Sequence, residues 1–191
     1  MNLTSAAAVF NQLDRELWLV TARDGLQRGG LIATLVNHAS IVPELPRVVV
    51  GIARQHHTWG LIEASSAFAL HLIGVEQIDW VWRFGLRSGR DVDKLEGCTV
   101  RPGATGSPIL TDAIGWLDCR VEVRLDTGDR TVYLAEVIAA ELSRSTPPLT
   151  LKRALHLAPP DKLRELKEQL ARDATVDAAA IRDWRERQTR L

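Results

Sequence analysis

Along the first two-thirds of the chain, apolar residues come in short runs bounded by turn signals. "LWLVTA" (17–22) ends at "RDG" and predicts a strand and a turn. "RVVVGIA" (47–53) carries three successive valines and no polar face, which predicts a strand buried on both sides. "AFALHLI" (67–73) has the same character. In "LDCRVEVRLD" (117–126) the alternation is strict. Leu117, Cys119, Val121, Val123 and Leu125 face one way, and Asp118, Arg120, Glu122, Arg124 and Asp126 the other, which predicts a strand with one wet face. "TGD" then turns the chain, and "RTVYLAEVIAAEL" (130–142) returns as the second strand of a hairpin.

Helical periodicity is sparse before residue 145. "TWGLIEAS" (58–65) predicts one or two turns with Thr58 as N-cap. In "EQIDWVWRFG" (76–85), Ile78, Val81 and Trp82 share a helical face and Gly85 stops the helix. Residues 86–109 are rich in Gly, Pro and Asp and read as a long loop, a kind that is usually functional or mobile. After "STPPLT" (145–150) the composition shifts. "PPDKLRELKEQLARD" (159–173) predicts a helix with Pro160 in its first turn and a narrow stripe of Leu163, Leu166 and Leu170. "TVDAAAIRDWRERQ" (175–188) predicts a second helix, capped by Thr175, with Val176, Ala180 and Trp184 aligned. Such charged helices want a surface for their stripe, either their own barrel or a partner subunit. The expected fold is therefore mainly β, a β-barrel or sandwich with helical additions. Residues 1–150 would form the barrel domain, and 151–191 a helical extension packed on the barrel or on a dimer partner.

Composition narrows the function classes. The 191 residues suit one domain with an appendage. The 24 basic and 24 acidic residues cancel, which argues against nucleic-acid binding driven by counterion release. No apolar run reaches the ~20 residues of a membrane span. The N-terminus has no basic start and its first charge is Asp14, so it does not read as a secretory signal, and a cytoplasmic location is expected. Cys98 and Cys119 lack metal-ligand spacing and read as free thiols.

Chemistry-bearing patterns are few. In "RQHHTW" (54–59) the adjacent His56 and His57 would point to opposite faces of an extended chain, which disfavours a shared metal ion. No Gly-x-Ser-x-Gly and no Gly-x-Gly-x-x-Gly follows a strand. "GGLIATLVNHAS" (29–40) sets two glycines, Ala33 and Thr34 beside polar Asn37, His38 and Ser40. It reads either as an ordinary strand and turn or as a loop whose free backbone N–H groups accept an anion or the edge of a flat ring.

The order of these pieces resembles the flavin reductase-like family, whose members bind FMN on a split β-barrel. The resemblance spans about residues 15–145. "LVTARDG" (19–25) stands where the family has a strand ending in Thr and an Asp-Gly turn. "GLIATLVNHASIVPELP" (30–46) takes the place of Gly-x-Thr-Ala-x-Ser followed by Ser-Val-Ser and Asp-Pro-Pro. "VVVGIARQHHT" (48–58), "WRF" (82–84), "GSPIL" (106–110), "LDCRV" (117–121) and "GDRTVYLAEV" (128–137) follow in the family's order.

This resemblance implies an FMN-binding split barrel with C-terminal helices. It implies that Ile32, Ala33, Thr34 and Leu35 line the isoalloxazine and ribityl chain, with Ser40 at a family serine. It places Arg54, His56 and Thr58 at the phosphate, where guanidinium, imidazole and hydroxyl supply donors; His57 would face away. Ile32 and Leu35 replace a usual Thr and Ser, and "SIVPELP" carries extra residues. Arg130 replaces a His near the nicotinamide; it is read either as a ligand for a pyridine-nucleotide phosphate or as an exposed hairpin charge. The implied activity is hydride transfer from NAD(P)H to flavin, with no catalytic side chain, in a homodimer that feeds a monooxygenase or another electron acceptor. A flavin-binding electron carrier without NAD(P)H activity and a flavin-free interaction protein are the alternatives.

Overall fold

The computed structural model describes residues 3–190. After α1 (Leu3–Phe10) come the strands β1 (Trp18–Asp24), β2 (Gln27–Ala33), β3 (Val36–His38) and β4 (Arg47–Ala53). Next are α2 (His57–Ser65), β5 (Ala67–Leu72) and α3 (Ile78–Gly85), then the short β6 (Val100–Pro102) and β7 (Pro108–Leu110). The long hairpin β8 (Gly115–Asp126) and β9 (Arg130–Leu142) precedes α4 (Leu151–Leu157) and α5 (Pro160–Thr189). Among the described residues, no helix is long and apolar enough to cross a membrane.

Seven strands make one sheet in the order β2-β1-β5-β8-β9-β4-β3, while β6 and β7 pair separately. Every ladder is antiparallel. β2 and β3 are thus opposite edges of the sheet, yet only Thr34 and Leu35 separate them in the chain. Three Cα–Cα steps reach at most about 11 Å, so the sheet has to curl until its edges meet. The fold is a mainly β half-barrel with helical additions.

Curling gives the sheet an inside and an outside. Inside lie Val20, Leu31, Val50, Ile52, Phe68, Leu70 and Tyr133, with Leu61 and Ile62 of α2. Outside, Leu19, Leu17 and Ile73 pack with Trp82 and Phe84 of α3, Leu95, Leu110 and Leu149. Leu19 and Val20 are neighbours in sequence and belong to different clusters, because successive side chains of a strand point to opposite faces.

The doubly buried strands are β1 and β5, and the valine-rich β4 is not one of them. In β4, Val48, Val50 and Ile52 are buried, but Val49 is only half-buried. α3 and β7 pack over β1, and β7 packs over β5. The alternation expected along β8 also fails. Irregularities between Asp118 and Cys119 and between Val121 and Val123 shift the register. Gly115, Trp116, Asp118 and Cys119 are buried, whereas Arg120, and Val123 and Leu125 near the hairpin tip, are exposed.

The helices depart from expectation in four places. Thr58 is not the N-cap of α2: His56 is, and Thr58 is buried in the first turn. Residues 86–109 contain the β6 strand and the start of β7. α4 lies at the start of the expected helical extension, ahead of the two helices that periodicity predicted, with the Thr150 hydroxyl accepting Arg153 N–H at 3.4 Å. The two expected C-terminal helices are one, the 30-residue α5. No Gly or Pro interrupts it near residue 174, and Thr175 donates its hydroxyl to the Ala171 carbonyl at 3.1 Å instead of capping a new helix.

Candidate functional site

A cavity of about 350 Å³ opens where β2, α2, the end of α3 and α5 meet. Its floor is Gly30 and Leu31 of β2, and Gln55, His56, His57 and Thr58 form one side. Phe84 through Asp91, with Lys94, form the opposite side, and Gln169 and Asp173 of α5 border it from outside. "RQHHTW" thus sits at the start of α2, facing a cavity.

The glycines at 29 and 30 make this approach possible. A Cβ on Gly29 would lie 3.2 Å from His57 Cδ2 and 3.3 Å from Thr58 Oγ1, and one on Gly30 would lie 3.0 Å from the Phe84 ring. These positions admit the protein's own α2 and α3 side chains, which is the close approach that glycine permits.

His57 does not face away. It is the first residue of α2, so the chain there is not extended, and both histidines border the cavity. The His57 ring is wedged between β2 and the loop after α3, with Cδ2 3.0 Å from where a Cβ on Gly89 would be. Burial lowers the pKa of His56 below the ordinary imidazole value; the Asp173 carboxylate opposes this, and Lys94, Arg90 and Arg130 add to it. Burial, Arg90 and Lys94 do the same at His57. Both rings are therefore neutral near pH 7 and can each donate one hydrogen bond and accept another. Among the described residues, no three His, Cys, Asp or Glu side chains group as metal ligands would.

Lys94 is the buried cation of the site. Its Nζ donates to the carbonyls of Phe84 at 2.9 Å and Arg87 at 3.0 Å. It thereby neutralises the negative end of α3. Burial pulls its pKa down to about 8. Arg90 donates to the Gln55 carbonyl at 3.0 Å and ties the loop to the start of α2. Arg87, Arg90 and Lys94 outnumber the carboxylates Asp91 and Asp173 around the cavity. No side chain caps the first turn of α2, so its backbone N–H groups add positive character. This donor set, with neutral imidazoles and the Thr58 hydroxyl, suits a phosphate-bearing ligand.

The residues expected from sequence fall into two groups. His56 and Thr58 border the cavity. Arg54 turns away: its guanidinium pairs with Asp126 at 3.2 Å and lies over the Trp59 ring at 5.3 Å. Ile32 and Ala33 continue β2 beyond the cavity floor, and Thr34 and Leu35 are the corner where the barrel closes. The Leu35 side chain lies on Gly51. Ser40 accepts the Val42 N–H at 3.1 Å. Arg130 is held by Asp129 at 2.6 Å and by Asp177 of α5 at 3.2 Å. Sequence reading missed Arg87, Arg90, Lys94, Gln169 and Asp173. The first three were visible as basic residues in the long 86–109 segment; nothing local marked the two on α5.

Comparison with known proteins agrees with this architecture. The chain is 25% identical over 143 residues to a ferric-chelate reductase (NAD(P)H) of Archaeoglobus fulgidus, covering 74% of this chain and 83% of that one. It is 32% identical over 125 residues to the reductase subunit HsaB of a flavin-dependent monooxygenase from Rhodococcus jostii, covering 65% and 63%. It also matches a diflavin flavoprotein of Synechocystis sp., 28% identical over 131 residues and 68% of this chain, of which it spans only 22%. Among solved structures, a nitrilotriacetate monooxygenase component B homologue from Mycobacterium thermoresistibile superposes with a TM-score of 0.69 at 25% identity, covering 78% of this chain and 82% of that one. The family model for the flavin reductase like domain matches residues 10–155, the whole barrel, and the chain belongs to that family.

Proposed function

We propose that this chain binds FMN in the cavity at the start of α2 and reduces it with NAD(P)H. The observation that carries the reading is the cavity's donor set: the uncapped first turn of α2, two neutral imidazoles and three cations on a floor of backbone at Gly30. His56, Thr58 and Arg90 would hold the phosphate, and Lys94 would hold the loop that faces it. The β2 segment from Gly30 through Ile32, Ala33, Thr34 and Leu35 would receive the ring, running on from the floor to the barrel corner. When bound, the flavin supplies acceptance of hydride from the nicotinamide, while the protein contributes orientation and exclusion of water. No side chain has to act as acid or base. Reduced flavin then serves a monooxygenase or another acceptor, a reading favoured by the similarity to a monooxygenase reductase subunit. A homodimer would cover the exposed Val123 and Leu125.

The purified chain is titrated with FMN and with FAD, and its visible spectrum recorded; NADH or NADPH is then added without oxygen. Bleaching of bound flavin is expected. Failure to bind either flavin sinks the reading. Binding without bleaching by either nucleotide leaves an electron carrier.

A further inference from the structure

Helix α5 has no buried residue, so the barrel core does not depend on it. One of its faces is nonetheless tied down along four turns. Gln169 Nε2 donates to the Gly85 carbonyl at 3.1 Å. Asp177 accepts Gln55 Nε2 at 3.4 Å on one oxygen and Arg130 at 3.2 Å on the other. Trp184 lies on Gly128, where a Cβ would be 2.6 Å from Trp184 Cβ. Between the first two contacts, Asp173 borders the cavity. Positions 169, 173, 177 and 184 share one helical face. Gly85 and Gln55 are themselves cavity residues, so the ties bring α5 across the opening. The helix also lies outside the family match, which ends at residue 155.

We propose that α5 is the outer wall of the flavin cavity and that Asp177 is the positioning residue that seats it, an inference that rests on the flavin reading above. Asp177 ties α5 to the β4–α2 turn through Gln55 and to the adjacent start of β9 through Arg130, the strand partner of Ala53, while Gln169 ties the helix to Gly85 on the other side of the cavity. With α5 seated, Gln169 and Asp173 narrow the way out for a ligand. Flavin exchange is therefore slow, and flavin behaves as a retained cofactor more than as a released substrate. The Asp177–Arg130 pair is partly exposed, so salt weakens the latch and speeds exchange.

Two readouts on the full-length chain test this: FMN dissociation after dilution, followed by flavin fluorescence, and amide hydrogen exchange across residues 165–185 without flavin. Asp177→Ala should speed dissociation at least tenfold and lower protection of α5. Asp177→Glu should restore both most of the way. If Asp177→Ala does not fold, Gln169→Ala, which cuts the tie to Gly85, is expected to act in the same direction and decides the matter. Lost protection with unchanged dissociation overturns the wall, and unchanged protection overturns the latch. A wild-type chain that binds no FMN overturns the proposed function instead, and hydrogen exchange then still tests the latch.

Discussion

His71 on β5 joins two distant pieces of chain: its Nε2 accepts the Leu110 backbone N–H at 3.0 Å, while its Nδ1 lies 3.0 Å from the Leu19 carbonyl. That pairing requires the neutral ring with its proton on Nδ1, since a second proton on Nε2 would face the Leu110 N–H. Burial accordingly lowers its pKa from 6.5 to about 4. Between those values the unfolded chain binds a proton that the folded chain refuses. Stability from His71 is therefore full above pH 6.5 and is lost as pH falls toward 4. The loss at pH 4.5 should be about 2–3 kcal/mol. Urea unfolding at pH 7 and 4.5 checks this, with His71→Gln as the control expected to show a loss smaller by that amount. An unchanged acid loss in the variant would assign it to other groups.

Leu35 and Gly51 are coupled by space. The Leu35 side chain occupies the position that a Cβ on Gly51 would need. Gly51→Ala should cost about 1–3 kcal/mol by overpacking. Adding Leu35→Ala should recover part of that cost, because the clash goes with the side chain. Denaturant midpoints of the two single variants and the double variant measure the coupling; strict additivity would show that the corner relaxes freely.

Arg54 and Arg90 divide the phosphate question between them. Arg90 borders the cavity, and Arg54 is engaged by Asp126 outside it. Arg90→Ala should weaken FMN binding by about 1.5–3 kcal/mol, the worth of a hydrogen bond to a charged group, or roughly ten- to a hundredfold. Arg54→Ala should change the dissociation constant less than about threefold, since the bond it would lose is to Asp126. Fluorescence titration of both variants decides. A larger loss at Arg54 would return the phosphate to that residue.

Much of the barrel was legible along the chain because its signals are local. The β8–β9 hairpin follows from two apolar runs and a three-residue Gly turn, and the observed bounds match it closely. The importance of "RQHHTW" was also legible, as polar residues closing an apolar strand. Its geometry was not. Whether His57 faces toward the cavity or away depends on the residue at which α2 begins, and that is set by packing of Leu61 and Ile62 in the core.

The apolar pattern by itself determined that the segments of β1, β4, β5, β8 and β9 would be strands and that the fold would be antiparallel and mainly β; β2 and β3 stayed open between strand and loop, and β6 and β7 lay in a segment read as loop. Only the tertiary structure decided what covers each face. β1 is buried on both sides because α3 lies over it, and the valine-rich β4 is not because nothing comparable does. Only the curl of the sheet, imposed by the two-residue link at Thr34 and Leu35, brings β2 against α2 and forms the cavity floor. Only docking carries Asp173 to the cavity and Asp177 to Arg130 and to Gln55, the latter 122 positions earlier. A periodicity records how a residue's own element presents it. It carries no record of the element that arrives from elsewhere in the chain, and in this protein those arrivals build the site.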